Sequence, residues 1–373
     1  MSRHAFGLIT LLFAGLVFAK FDAHTGFTSL IRFGDQWQTR RLPATRPLPL
    51  DTVPHSAGYD GQFYAQLALD PLLRDTHLTD AIDAPAYRAR RILTPATASI
   101  LGAGNPWLTL NAYALLNVVC WFAFAWLLRD MLPDQGWLGF ARWAGCVLSL
   151  GVLDSVRQSL VDLPAMLLLL LAMRSQSRTS STLRPALWLS LASLAKETSL
   201  LAALATLLAP QVDRAQKIRR VLLFVLAALP LALWSLYVAS RFASAVDSSG
   251  LGNFTWPLIG LFSQLALSTR ELLDGNLDGR HSFAILAIAG LAVQATVLWR
   301  RPQWSSSWWR IGAAYSLLFL FLGPWVWSGY WAACRAVLPL TIAFNFLLPA
   351  NRSFWPLWIV GNLTLFHAVW RFL

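Results

Sequence analysis

Apolar residues in this chain run in long uninterrupted blocks rather than in the alternation of a half-buried strand or the stripe of a surface helix. An α-helix rises about 1.5 Å per residue and the hydrocarbon core of a bilayer is about 30 Å thick, so blocks such as 107–128 and 221–238 are of spanning length. Further spans are predicted near 137–154, 158–173, 282–299, 311–327, 334–349 and 354–370. A first helix is expected over 5–18, retained although Arg3, His4 and Val17-Phe18-Ala19 also resemble a cleavable leader; Lys20 would snorkel at its end. The pattern predicts an all-α polytopic membrane protein with about 10–12 transmembrane helices in a single domain, 1–373. No inverted repeat of the kind common in transporters is visible.

Short loops rich in Lys and Arg remain on the cytoplasmic side. Four qualify: Arg129/Arg142, Arg174/Arg178/Arg184, Arg214/Lys217/Arg219/Arg220 and Arg300/Arg301/Arg310. Their placement puts residues 22–105 outside as a long first loop with juxtamembrane helices, and 241–280 outside as a second loop. Asp154 to Arg157 then form an external tip. Both ends of 185–209 must lie on the cytoplasmic side, so this segment is predicted to be a hairpin of two short helices with Lys196-Glu197 at its outer tip. A single span would strand that pair at mid-bilayer at a cost of several kcal/mol. Segment 92–103 reads as a juxtamembrane or re-entrant helix or a short extra span, and the apolar stretch after Asn253 as interfacial.

Composition agrees: 56% of the 373 residues are hydrophobic and only 13% charged, about half the charge of a soluble domain. The net charge of +12 is accounted for by the orienting loops, and no nucleic-acid partner is expected. Cys120, Cys146 and Cys334 lie within apolar runs without metal or disulfide spacing. Membrane lipids are the expected surroundings.

The first loop holds eight acids from Asp22 to Asp83 and is the region richest in polar groups. Within it, Gly58-Tyr59-Asp60-Gly61-Gln62-Phe63-Tyr64 predicts a tight turn feeding a short helix that ends at Pro71, with Asp60 near its N-terminus. Asp60 reads either as a simple helix cap above an interfacial face of Phe63, Tyr64 and Leu67, or as a carboxylate that accepts a proton from a hydroxyl. Arg88 and Arg91, three apart, and Arg335, after Trp325, Trp327, Tyr330 and Trp331, are candidate phosphate ligands or, equally, headgroup and interfacial contacts.

The first helix, the long external loop with Tyr59-Asp60-Gly61-Gln62-Phe63-Tyr64, and Tyr87-Arg88 with Arg91-Ile92-Leu93-Thr94-Pro95 together resemble a bacterial family of membrane proteins associated with cell-surface glycopolymer formation. That family is similar to the GT-C glycosyltransferases. Loop position, topology and length match over most of the chain, and the motif text over 59–95. The resemblance implies transfer of a sugar from a polyprenyl-phosphate donor to a glycan or lipid acceptor, with the active site facing outward. Asp60 matches the essential acid, and Lys196 in Leu194-Ala195-Lys196-Glu197-Thr198 matches a basic residue at the hairpin tip. Lys196, Arg335, Arg91 and Arg88 would then bind the donor phosphate, and Tyr59, Gln62 and Tyr64 the substrates. Many relatives carry two adjacent acids where Asp60 stands alone, which leaves a divalent metal possible but unassigned. The rival expectation is a non-catalytic assembly component or a lipid-linked-sugar translocator, for which Asp162 is the one clear intramembrane acid.

Overall fold

In the computed structural model, which describes residues 3–178, 181–210, 213–243, 250–276 and 278–373, nearly all of the regular secondary structure is helical. Among the described residues three helices are long and apolar enough to cross a membrane: Pro106–Met131, Arg214–Arg241 and Gly279–Arg300. The pair Tyr330–Ala336 and Leu338–Leu347, bent by 62°, makes a fourth if counted as one span.

The remaining predicted spans are shorter or broken. Segment 137–154 divides into Trp137–Val147 and Leu150–Arg157, segment 311–327 into Ser307–Phe321 and Pro324–Ser328, and segment 354–370 into Phe354–Gly361 and Leu365–Phe372. Proline lacks the N–H that would continue the preceding helix, and Pro324 and Pro339 each stand in the first turn after a break. Polar side chains take up freed backbone groups at these breaks, as an apolar surrounding requires. Gln294 Nε2 donates to Gly361 O at 2.6 Å, Ser149 Oγ to Cys146 O at 2.9 Å, and Asn362 Nδ2 to Trp358 O at 2.9 Å, while Asn345 Nδ2 holds the Asn362 side chain through its Oδ1 at 3.2 Å. Hydropathy averages over such breaks and cannot register them.

The hairpin is present. Leu183–Ala195 and Leu200–Leu207 are separated by Lys196, whose backbone is extended, and a short 3-10 turn, Glu197–Ser199. Thr182 and Pro185 at one end and Thr206 at the other line one cleft with Arg219, Arg220 and Arg310. Arg174 and Arg178 pair with Asp130 at 2.7 and 2.9 Å. The arginine-rich loops therefore gather at one end of the bundle, and the hairpin tip points away from it.

The first loop builds a cap at the opposite end from short 3-10 turns, a two-stranded parallel sheet pairing Phe33–Gly34 with Thr52–Val53, and the helix Gly61–Leu69. Phe63, Tyr64 and Leu67 are buried, so this helix is the core of the cap and not the interfacial helix expected. Asp154 is buried as well, because the supposed external tip forms the floor of the cap: Ser159 Oγ donates to Leu30 O and Tyr113 OH to Ser159 O, at 3.0 and 2.6 Å. Segment 92–103 contains the helix Leu93–Gly102, too short to span, packed against Pro106–Met131. In the second loop, residues 244–249 and 277 lie outside the described residues, and Ile259–Leu273 forms a helix with exposed Ile259, Phe262 and Leu267.

Candidate functional site

Two glycines shape the backbone around Asp60. Gly58 has φ +74°, and a Cβ there would meet Gly34 N and Arg32 O. A Cβ at Gly61 would collide with the carbonyl oxygens of Gln158 and Ile31. These glycines thus admit neighbouring backbone, not substrate. Gly61→Ala is expected to lower stability by about 1–3 kcal/mol and to displace Asp60, read as a lower thermal midpoint together with lost activity.

Asp60 begins the helix Gly61–Leu69, yet its side chain makes no capping bond. Instead Oδ1 accepts from Arg88 Nη2 at 2.9 Å. The same guanidinium is held by both oxygens of Asp83, through Nε at 2.9 Å and Nη2 at 2.8 Å. Among the described residues Asp60 Oδ2 has no hydrogen-bond partner, and 30% of the Asp60 side chain is exposed. Burial pushes its carboxyl up, but Arg88 and Arg335 outweigh that and hold it below the ordinary carboxylate value of 3.8. Burial would likewise lower Arg88, and Asp60, Tyr64 and Asp83 keep it well above its usual value. Both groups are charged at any physiological pH.

Arg91 leaves the short helix Pro85–Ala89 and forms a two-point pair with Glu197 at the hairpin tip, through Nε at 2.8 Å and Nη2 at 2.6 Å. Its Nη1 donates to Tyr64 OH at 2.8 Å, and it also bonds Tyr87 OH. Lys196 and Glu197 thus do not pair with each other: Lys196 Nζ reaches Asp162 Oδ1 at 2.5 Å. Asp162 Oδ2 accepts from Arg335 Nη1 at 3.1 Å, and Arg335 Nη2 donates to Tyr59 OH at 2.7 Å. Trp331 Nε1 donates to the same hydroxyl at 2.7 Å. Asp154 stands behind, 3.4 Å from both Arg335 and Arg371.

These groups converge on a cavity of about 750 Å³ at the cap end of the bundle, lined by Asp60, Tyr59, Tyr64, Arg88, Arg91, Lys196 and Arg335 among others. Seven of the eight residues singled out in the sequence meet there, drawn from the cap, the hairpin and the helix Tyr330–Ala336. Gln62 does not. It is buried behind the turn, where its amide accepts from Gly34 N at 3.1 Å and donates to Ala57 O at 2.6 Å; it braces the loop carrying Asp60. Arg88, Arg91 and Arg335 are buried with acidic partners, and so are not the headgroup or snorkelling contacts that were the alternative. Among the described residues six cationic side chains line the cavity against four acids, Arg90 and Arg280 completing the cations. Much of its remaining wall is apolar, formed by Leu251, Phe254, Leu318, Leu322, Val326 and Trp325 beside the polar Thr198, Asn253 and Ser328, with Trp325 80% and Leu251 72% exposed at the lip.

Sequence reading missed Asp83, Asp154 and Trp331, and assigned Asp162 to a rival function. Nothing local marks their roles, which come from partners 5 to 272 positions away. No group of three or more His, Cys, Asp or Glu side chains placed to hold a metal ion occurs among the described residues. The chain matches no family model, no curated protein and no solved structure, so the functional reading rests on the chemistry of this cavity.

Proposed function

We propose that this protein is a membrane glycosyltransferase, GT-C-like, that moves a sugar from a polyprenyl-phosphate donor to a glycan or lipid acceptor at the outer face of a bacterial inner membrane. The observation that carries this reading is the two-sided cavity, in which a half-open carboxylate and buried cations face an apolar, exposed lip. A phosphate on an isoprenoid tail needs both walls: cations for the head and an apolar exit for the chain.

In the reaction, the acceptor hydroxyl oxygen forms a bond to the anomeric carbon as the bond from that carbon to the phosphate oxygen breaks. The phosphate leaves with the electron pair, and the hydroxyl proton passes to Asp60 Oδ2. Asp60 is a weak base when paired with Arg88. The proton need leave only as the new bond forms, when the hydroxyl has become far more acidic than a free alcohol. Lys196, Arg335, Arg91 and Arg88 stabilise the departing phosphate. Asp162, Glu197 and Asp83 hold those cations in position before substrate arrives, so little reorganisation accompanies the step.

The direct test is transfer of labelled sugar from a defined polyprenyl-phosphate donor by the purified protein in nanodiscs, alongside a glycan profile of cells lacking it. Absence of transfer with every donor tried, but donor flipping in sealed vesicles, would favour the translocator. Orientation is tested separately with impermeant thiol labelling. Cysteine at exposed Thr76 in the cap is expected to label in intact spheroplasts, and cysteine at Ser177, near the arginine-rich end, only after lysis. The reverse pattern overturns the outward-facing site. Ser248 in the second loop lies outside the described residues, which is why the cap position is preferred.

A further inference from the structure

A second cavity, of about 500 Å³, lies in the cap and shares Asp83 in its wall with the first. Arg40, Arg41 and Arg46 line it together with Trp37. Its two acids, Asp80 and Asp83, do not balance these arginines, because both oxygens of Asp83 are engaged by Arg88.

Arg41 is the telling residue. It is 5% exposed, its Nη2 donates to Gly34 O at 2.8 Å, and its guanidinium lies 4.8 Å over the Phe33 ring. Among the described residues it pairs with no carboxylate, and its Nε is buried without a hydrogen-bond partner. A guanidinium withdrawn from water with so few partners is costly unless an anion completes it. Arg40 and Arg46, both exposed, add solvent-accessible cations to the lining. Trp37 stands half-buried beside them, edge-on to Phe63 at 4.9 Å and with the Arg40 guanidinium 5.2 Å over its ring. An aromatic face among arginines suits a sugar ring that carries a negative group.

We propose that this second cavity is the acceptor subsite and takes a saccharide bearing an anionic group, a uronate carboxylate or a sugar phosphate. The word acceptor rests on the transferase reading; the binding of an anionic saccharide does not. The three arginines hold the anionic group and Trp37 the ring. The chain of the acceptor then runs past Asp83, while Arg40, Arg41 and Arg46 retain the anionic group at their own side of the cavity. Only Arg88 separates Asp83 from Asp60, so the far end of the saccharide is delivered toward the base.

Binding of trigalacturonate, of 6-phosphorylated maltotriose and of neutral maltotriose to the full-length protein in nanodiscs tests this by calorimetry. At least one charged probe is expected to bind about tenfold or more tighter than the neutral one, and which of them does so identifies the anionic group. The double variant Arg40→Ala/Arg46→Ala should lose about tenfold of that affinity and leave neutral maltotriose unchanged. Hydrolysis of the lipid-linked donor by water, which uses only the first cavity, should proceed in this variant as in wild type. Arg41→Gln reports on the buried member: it should weaken the charged probe while raising the thermal midpoint or leaving it unchanged, since it removes an uncompensated cation.

Equal affinities for charged and neutral probes, or a double variant that binds like wild type, would overturn the proposal. Efficient transfer to neutral and charged acceptors alike would overturn it while sustaining the transferase. If the charged probes bind as expected and no donor is ever turned over, the transferase reading fails and the saccharide site stands.

Discussion

Replacing Asp60 by Asn is expected to lower sugar transfer by about two orders of magnitude or more while leaving the protein folded and inserted. The separation of the two effects follows from the ion pairs. Asn keeps an oxygen able to accept from Arg88 Nη2, and Arg88 stays neutralised through its two bonds to Asp83. No cation is left unpaired, and only the free, half-open carboxylate oxygen is lost as a base. Asp70→Asn serves as the control. Asp70 ends the helix, where its Oδ2 accepts from the backbone of Arg74 and Asp75 at 2.5 and 2.6 Å, and it does not line the cavity. The substitution weakens a turn and should change transfer less than about threefold.

The pH profile gives a second reading of the same residue. The Asp60 carboxyl is held below its ordinary value, so it is ionised in the folded protein throughout the neutral and mildly acidic range. Its pair with Arg88 contributes stability above the ordinary carboxylate value and loses it only as pH falls through the lower folded value. From pH 7 to about pH 5, then, transfer should show no acid limb from Asp60. Near-normal transfer by Asp60→Asn in a purified assay would remove Asp60 as the base and leave the non-catalytic reading as the better one.

The largest effect on stability is expected from Asp162→Asn. Asp162 is the shared counter-ion of Lys196 and Arg335, all three buried where the hairpin tip meets the helix Tyr330–Ala336. Removing the shared charge leaves Lys196 without a carboxylate, a change that costs about 3–5 kcal/mol for a buried pair. Arg335 retains Asp154 at 3.4 Å and the Tyr59 hydroxyl, so the loss falls mainly on Lys196. The measurement is the thermal midpoint in detergent, with Asp162→Asn/Lys196→Met as the partner variant. That double variant removes both charges and should recover at least about half of the stability lost. If Asp162→Asn melts like wild type, or if the double variant is no more stable than the single, the three-residue cluster does not carry the hairpin tip.

How much of this was legible beforehand depends on the range of the interaction involved. The crossing helices 106–131, 214–241 and 279–300 announce themselves because apolar length is a property of one segment. The hairpin at 183–207 was likewise forced by local counting: two basic loops on one side require an even number of crossings between them. Asp60 could be singled out because its flanking glycines and polar loop lie within a few residues of it, and Lys196, Arg88, Arg91 and Arg335 because charges in or beside apolar runs are conspicuous.

The helix breaks were not legible. A hydropathy average is unchanged whether Asn362 continues a helix or ends one, and the difference lies in Asn345 and Gln294 reaching across from other helices. Nor could sequence assign the ion pairs. Lys196 sits next to Glu197 and bonds Asp162, while Glu197 bonds Arg91 from 106 positions away. In an apolar bundle each buried charge takes whichever partner the packed helices bring within reach, because desolvation makes an unpaired charge costlier than any local preference. Gln62 and the helix behind it were misjudged for the same reason: only the folded cap shows that their polar and apolar atoms face inward. Composition and periodicity thus determined that the chain carries helices long and apolar enough to cross a membrane and how its loops divide between two ends, and the motif resemblance added which residues were worth suspecting. The tertiary structure alone decided that seven of them share one cavity, since that depends on distances between segments that no local pattern encodes.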